Sequence, residues 1–323
     1  MWRAYLPLLV LLSAIWGSSY MFIKVGLRDF SPAAMVELRL LLASTVLLTF
    51  VALRHGLGTV RPALAPGAFV GVLGMALPFL LISWGETQVD SGVAAVANSS
   101  VPIFVALLAL RFAASERSSG PRLVGLGVGL AGVAVVASVH PTGGWWAVAG
   151  TLAVVLASVC YAASSLYIQR SLVVGGLELA AASVVCGAVA MLPLALARLP
   201  DSLSWKPLAS VVVLGVVGTG LAQLIANRLI GEHGPARSML VNYLLPGFAL
   251  FYGVTILNEP LTIAKLGGLA LILAGVTLAS GLVSLWPMRG TGHAGVGIPD
   301  SALPDLRRAE PAPPDQRLEG PDR

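Results

Sequence analysis

Charge is scarce in this chain. Only 11% of its 323 residues are Asp, Glu, Lys or Arg, against about 25% in an ordinary soluble domain. That is too little to coat a water-soluble globule of this size. Cysteine is nearly missing as well. Cys160 and Cys186 fall in separate apolar runs without metal-ligand or redox spacing, which leaves them as small buried hydrophobes. The four histidines (His55, His140, His233 and His293) form no cluster and no HExxH, so no metal site is expected. There is no GK dipeptide, hence no P-loop, and no GxSxG. Without a catalytic constellation, no enzymatic activity and no cofactor are expected, and a nucleic-acid partner is not expected either.

What the chain has in abundance is apolar length. Hydrophobic residues make up 57% of it, and the mean hydropathy is +0.87. The apolar residues fall in ten runs, at 4–24, 32–53, 66–86, 91–113, 121–139, 146–169, 177–199, 207–230, 236–257 and 263–286. Each is close to the roughly 17–25 residues that a helix needs to cross a bilayer core. The runs lack strict alternation and exceed the length of barrel strands, so they read as helices. The first run is too long for a signal-peptide core, and the same kind of run recurs nine more times, so it reads as an uncleaved first helix. The expected fold class is therefore an all-α membrane protein of ten transmembrane helices.

Residues 287–323 are different. Seven prolines, five arginines and six acids with few large apolar side chains cannot bury enough surface to offset ordering entropy, and this tail is expected to be disordered. With the N-terminus inside, the inner segments carry 14 Lys or Arg and the outer segments 5, Arg39 being left within a helix. The positive-inside rule then places both termini in the cytoplasm.

The chain also matches itself. At an offset of 144, "GVLGMAL" (71–77) lies over "GVVGTGL" (215–221) and "NSSVP" (98–102) over "NYLLP" (242–246); at 145, "SAIWGSSYMFIK" (13–24) lies over "SVCYAASSLYIQ" (158–169). Two halves of five helices each, 1–140 and 141–286, follow. Because five is odd, the second half must be upside down relative to the first. Inverted repeats of this kind are common in secondary transporters, with the substrate near midplane between the repeats.

Polar groups inside the apolar runs mark candidate sites. Pro102 and Pro246 each remove a backbone donor, which frees the carbonyl four residues earlier, that of Asn98 or Asn242. Both prolines are expected to kink their helices near midplane. Arg39 is the clearest intramembrane charge. Glu37 lies two positions away on the opposite side of the helix, and Glu86 is at a similar level to Arg39 and is its candidate partner. Glu37 and Glu86 are the carboxylates at or near cavity depth and so the candidates for proton coupling. Trp16, Ser19 and Tyr20 in the first run correspond to Tyr161, Ser164 and Ser165 in the sixth, and Trp84, Gln223 and Tyr243 add further aromatic or polar groups. Aromatic walls with a few convergent polar groups suit a small amphiphilic ligand. The expected substrate-binding set is Trp16, Ser19, Tyr20, Arg39, Trp84, Asn98, Tyr161, Ser165, Gln223, Asn242 and Tyr243.

The stretches "WGSSYMFIK" (16–24), "SPAAMVELR" (31–39), "VP" followed by "SER" (101–117) and "LLP" followed by "NEP" (244–260) resemble the EamA family of the drug/metabolite transporter superfamily. The resemblance covers about residues 5–286. It implies a ten-helix inverted-repeat carrier in the bacterial inner membrane, commonly an exporter of amino acids or other metabolites, with a central cavity lined mainly by helices 1, 3, 4, 6, 8 and 9. The chain departs from the pattern where Ser183 or Val184 stands at the repeat position of Arg39, and where Glu37 replaces a residue that the family usually leaves uncharged. The expectation is an alternating-access carrier, monomeric or homodimeric, with the lipid bilayer and a small-molecule substrate as partners. The alternative is a passive channel or a lipid-handling protein without coupled transport.

Overall fold

The structure, a computed structural model, describes residues 2–112, 120–138, 144–171, 176–200, 203–233, 238 and 240–279. The tail expected to be disordered lies outside these residues. Most of those described are helical, with no strand among them.

In chain order the helices are α1 (Trp2–Gly26), α2 (Pro32–Arg54), α3 (Leu57–Gln88), α4 (Ser91–Asn98), α5 (Val101–Phe112), α6 (Gly120–Ser138), α7 (Gly144–Ser171), α8 (Gly176–Leu196), α9 (Trp205–His233), α10 (Val241–Leu257) and α11 (Ile263–Ala279). Among the described residues, seven segments are long and apolar enough to cross a membrane, and three apolar helices are shorter. Large apolar side chains such as Leu11, Leu41, Val189 and Phe251 point outward along these helices, as a lipid-facing surface requires.

Local chemistry sets the helix ends. Ser31 caps α2 by accepting from the Ala34 amide at 3.2 Å, with Pro32 at the first helical position, where its missing donor is not needed. Helix α3 begins nine residues earlier than the apolar run at 66–86. Leu57–Ala63 forms a 3-10 turn that buries Val60 and Ala63 and extends the helix into what reads as a loop. At the other end of that helix, the Lys24 ammonium donates to the carbonyls of Glu86 at 2.6 Å and Val89 at 2.7 Å. A cation is favoured there because the last helical carbonyls lack partners.

Two helices contain π segments, Val72–Ala76 in α3 and Val216–Leu221 in α9. They coincide with the two stretches that match at an offset of 144. In each, an amide bonds a carbonyl five residues back: Leu77 to Val72 and Ala222 to Val217. Such bulges are rare and concentrate at functional sites.

The fourth apolar run, expected as one kinked helix, is two helices. The chain turns at Ser99 and Ser100, whose hydroxyls bond back to the carbonyls of Ala95 and Ala97. The break thus precedes Pro102, which sits in the first turn of α5. Pro246 behaves otherwise: α10 runs through it without interruption, and Asn242 lies in that helix's first turn.

Packing is close where glycines permit it. Helix α6 lies on α11, where a Cβ on Gly275 would come within 2.4–2.6 Å of the backbone of Gly125 and Gly129. Helix α1 lies on α9 and α10, α2 on α8 and α9, α3 on α7 and α8, and α4 on α7 and α10.

Candidate functional site

Arg39 is drawn into the protein rather than out to the lipid, with 5% of its surface exposed. Its Nε donates to Thr219 Oγ1 at 2.8 Å, and its guanidinium carbon lies 3.6 Å from the ring centroid of Phe79. Thr219 sits in the π segment of α9, and its hydroxyl donates in turn to the Leu214 carbonyl at 3.1 Å. One chain of contacts therefore joins α2, α3 and α9.

Around this guanidinium stand Tyr20, Tyr161 and Glu86, each within electrostatic range of it. The Asn98 side chain lies beside the Tyr20 phenol. Ser158 on α7 lies 3.3 Å from Asn98 Oδ1 and 3.5 Å from the Asn98 carbonyl, so the carbonyl at the break meets a hydroxyl of the other half. Glu86 is fully buried, and neither carboxylate oxygen has a hydrogen-bond partner among the described residues. A carboxylate left so is costly unless neutralised by a proton or a nearby cation, and both Lys24 and Arg39 lie within electrostatic range.

A second constellation gathers at the start of α4. Asn258 adopts φ 56°, the left-handed cap of α10, a conformation that asparagine tolerates better than most residues. The turn aims Glu259 at the start of α4, where its carboxylate accepts from the Ser91 amide at 2.8 Å and the Gly92 amide at 3.0 Å. Lys265 donates to Asp90 at 2.7 Å and to the Pro260 carbonyl at 2.8 Å.

The EamA-like transporter family matches the chain twice, over residues 4–138 and 148–281. The chain belongs to the EamA-like transporter family. It is 31% identical over 280 residues to the "Uncharacterized inner membrane transporter YedA" of Escherichia coli, covering 83% of this chain and 88% of that protein. It is 32% identical over 283 residues to the "Probable terminal-alkyne amino-acid exporter" of Streptantibioticus cattleyicolor, covering 84% and 91%. A solved crystal structure at 20% identity superposes with a TM-score of 0.62, covering 85% of this chain and 97% of the other, which shows a shared fold.

Within this EamA-like chain the expected site residues fall in several places. Trp16, Tyr20, Tyr161 and Tyr243 share one apolar cluster. Ser19 is buried and bonds back to the Ile15 carbonyl at 3.3 Å. Trp84, Ser165, Gln223 and Asn242 are half-buried. The carbonyl of Gln223 accepts from Asn227 at 2.9 Å. Arg39 takes Thr219 as its hydrogen-bonding partner where Glu86 was the candidate. Glu37 stands apart, against the end of α8, beside an apolar cavity of about 280 Å³ lined by Leu41, Leu192, Leu196 and Leu199 among others.

Thr219, Phe79, Ser158, Lys24 and Glu259 escape sequence reasoning as members of this network. The one usable signal is that Thr219 interrupts a glycine-rich stretch at the repeat position of Met75.

Proposed function

We propose that this chain is a secondary active transporter of the inner membrane, exporting small metabolites such as amino acids by alternating access. The observation that carries the reading is the polar cluster of the buried Arg39, Tyr20 and Glu86 with the half-buried Asn98 and Tyr161. It stands inside otherwise apolar helices and receives groups from both halves of the chain. Polar groups at membrane depth are costly and mark substrate or ion paths. The names of the E. coli and S. cattleyicolor relatives favour an inner-membrane location and an amino-acid-like cargo.

The reading includes ten membrane helices, α4 and α5 together forming one of them, in two inverted repeats over 1–140 and 141–286. Close contacts that exchange under the repeat support it. A Cβ on Gly71 would lie 2.4 Å from the Ser183 carbonyl, and one on Gly215 would lie 3.0 Å from the Arg39 carbonyl. The same offset of 144 relates the two glycines and the two carbonyls. Likewise Gly74 faces the Ser164 hydroxyl and Gly218 faces the Ser19 hydroxyl. A pseudo-two-fold axis in the membrane plane produces such exchanges.

In this scheme the halves rock about the cluster, Glu86 is the proton-coupling group, and both termini are cytoplasmic. Glu37 lies toward the periphery and is the weaker coupling candidate. Counterflow in proteoliposomes provides the test. Vesicles preloaded with an unlabelled amino-acid mixture should accelerate uptake of a labelled member of that mixture, and proton dissipation should alter net flux. Flux without trans-stimulation would favour a channel and overturn the reading.

A further inference from the structure

Arg39 is held on two sides and open on the third. The ring of Phe79 covers one face of its guanidinium at 3.6 Å, and Thr219 occupies the Nε side at 2.8 Å. Neither terminal amino group is hydrogen-bonded to a described residue, and neither belongs to the buried nitrogens that are sealed from solvent without a partner. The edge formed by Nη1 and Nη2 is therefore left accessible and without a bonded partner among the described residues. A buried arginine without a bonded counter-ion is costly, and its planar fork matches an oxyanion end-on through two parallel hydrogen bonds.

We infer that the Nη edge of Arg39 receives the carboxylate of the transported molecule, and that Thr219 is the positioning residue that turns this edge toward it. The inference rests on the transport reading and names the chemistry of that same site. The phenols of Tyr20 and Tyr161, both within electrostatic range of the guanidinium, can donate to a carboxylate held there. A carboxylate fits better than a phosphate for reasons of charge. The ammonium of Lys24 is committed to the Glu86 and Val89 carbonyls, and the Glu86 carboxyl shares the neighbourhood. One guanidinium can balance a monoanion, whereas a dianion would need a second cation.

Thr219 owes its place to the π segment. Its hydroxyl donates to Leu214, five residues back, which leaves a lone pair for Arg39 Nε. Serine can repeat this geometry and valine cannot, although valine preserves the volume.

The test follows modification of Arg39 by phenylglyoxal in the full chain in lipid nanodiscs, read by peptide mass spectrometry with the exposed Arg54 as internal reference. Acetate and phenylacetate should each slow modification of Arg39, phenylacetate by about ten-fold, as expected for one charge-assisted bidentate contact. Phenylacetamide should change the rate less than about two-fold, and phenyl phosphate should protect less than phenylacetate. Thr219→Val should abolish the protection while Thr219→Ser keeps it, with Arg54 modified at the same rate in both. Failure of both carboxylates to protect would overturn the inference, as would equal protection by the amide or stronger protection by the phosphate. Unaltered protection in Thr219→Val would remove Thr219 from its assigned role. The assay reads binding alone, so protection without counterflow would sink the transport reading and leave Arg39 as a carboxylate-binding site only, whereas counterflow without protection would overturn this inference and spare the transport reading.

Discussion

The carboxylate of Glu259 accepts from the backbone amide of Ser91 at 2.8 Å and, through its second oxygen, from that of Gly92 at 3.0 Å. The two residues are far apart in the chain and belong to opposite halves of it. A helix start presents unpaired amides and the positive end of its dipole, and here the anion that answers them comes from the turn after α10. The contact is close because both sides are bare: a Cβ on Gly253 would meet Glu259 Oε2 at 2.8 Å, and one on Gly92 would meet Leu250 at 2.8 Å. Under the proposed alternating-access cycle these halves separate at one end and then the other, and the contact of Glu259 with Ser91 would act as a latch at one of them.

Replacing Glu259 by Gln keeps the shape of the latch but removes its charge and one acceptor. Caps of this kind contribute about 1–2 kcal/mol, which corresponds to roughly ten-fold in a two-state equilibrium. Ser91→Cys in the Glu259→Gln background should therefore react about ten-fold faster with a membrane-impermeant maleimide than in the parent. An unchanged rate would mean that the contact does not hold this end closed.

Lys24 and the side-chain carboxylate of Glu86 form a pair without a hydrogen bond between the two charges. The ammonium binds the carbonyls of Glu86 and Val89, while the buried carboxylate has no hydrogen-bond partner among the described residues. Lys24→Met should be strongly destabilising, because it removes the cation beside a buried acid as well as the cap of α3. The loss should be about 3 kcal/mol. Glu86→Gln added to it should recover a measurable part, so the double-mutant cycle in detergent melts should be non-additive. Strict additivity would show that the two charges do not interact.

Most helices were legible because each needs enough apolar residues to cross a bilayer, and polarity inside such a run is conspicuous. Directions were not. Arg39 and Glu86 share a level, so depth alone pairs them, but the π bulge of α9 brings Thr219 against Arg39 Nε. "NSSVP" and "NYLLP" look equivalent, yet the hydroxyls of Ser99 and Ser100 bond back to carbonyls and end a helix, whereas Tyr243 and Leu244 at the matching positions have no short hydroxyl to do so. Helix α4 therefore stops at Asn98 while α10 continues through Pro246. Glu259 belonged to a recognisable motif, "NEP", but its acceptor role requires the start of α4, which only the packed halves bring near. The start of α3 was missed because a 3-10 turn containing Pro62 and Gly58 carries the signals of a loop.

The face between α6 and α11 predicts a sharp contrast between two glycines about two turns apart on one helix. A Cβ on Gly275 would strike the backbone of Gly129 and the Gly125 carbonyl at 2.4–2.6 Å, whereas one on Gly267 meets nothing within 4 Å. Backbone cannot rotate away as a side chain can. Gly275→Ala should cost about 1–3 kcal/mol through overpacking, and Gly267→Ala should be neutral or slightly stabilising by helix propensity. Melting midpoints of the two variants in one detergent would decide, and equal midpoints would contradict the packing.

Asn98 and Asn242 should part company for the same reason that their helices do. Asn98 stands at a helix break, beside Tyr20 and within 3.3 Å of the Ser158 hydroxyl. Asn98→Ala removes the amide beside one buried phenol and leaves Ser158 with the Val154 carbonyl of its own helix at 3.2 Å. That should cost about 1–3 kcal/mol. Because Tyr20 stands near Arg39, transport normalised to abundance should fall with it. Asn242 is half-buried in the first turn of an unbroken helix, where amides lack helical partners in any case. Asn242→Ala should therefore shift stability by less than about 1 kcal/mol. Counterflow and thermal melts on both variants give the comparison, and equal losses in the two would mean that the break at Ser99 and Ser100 does not set Asn98 apart.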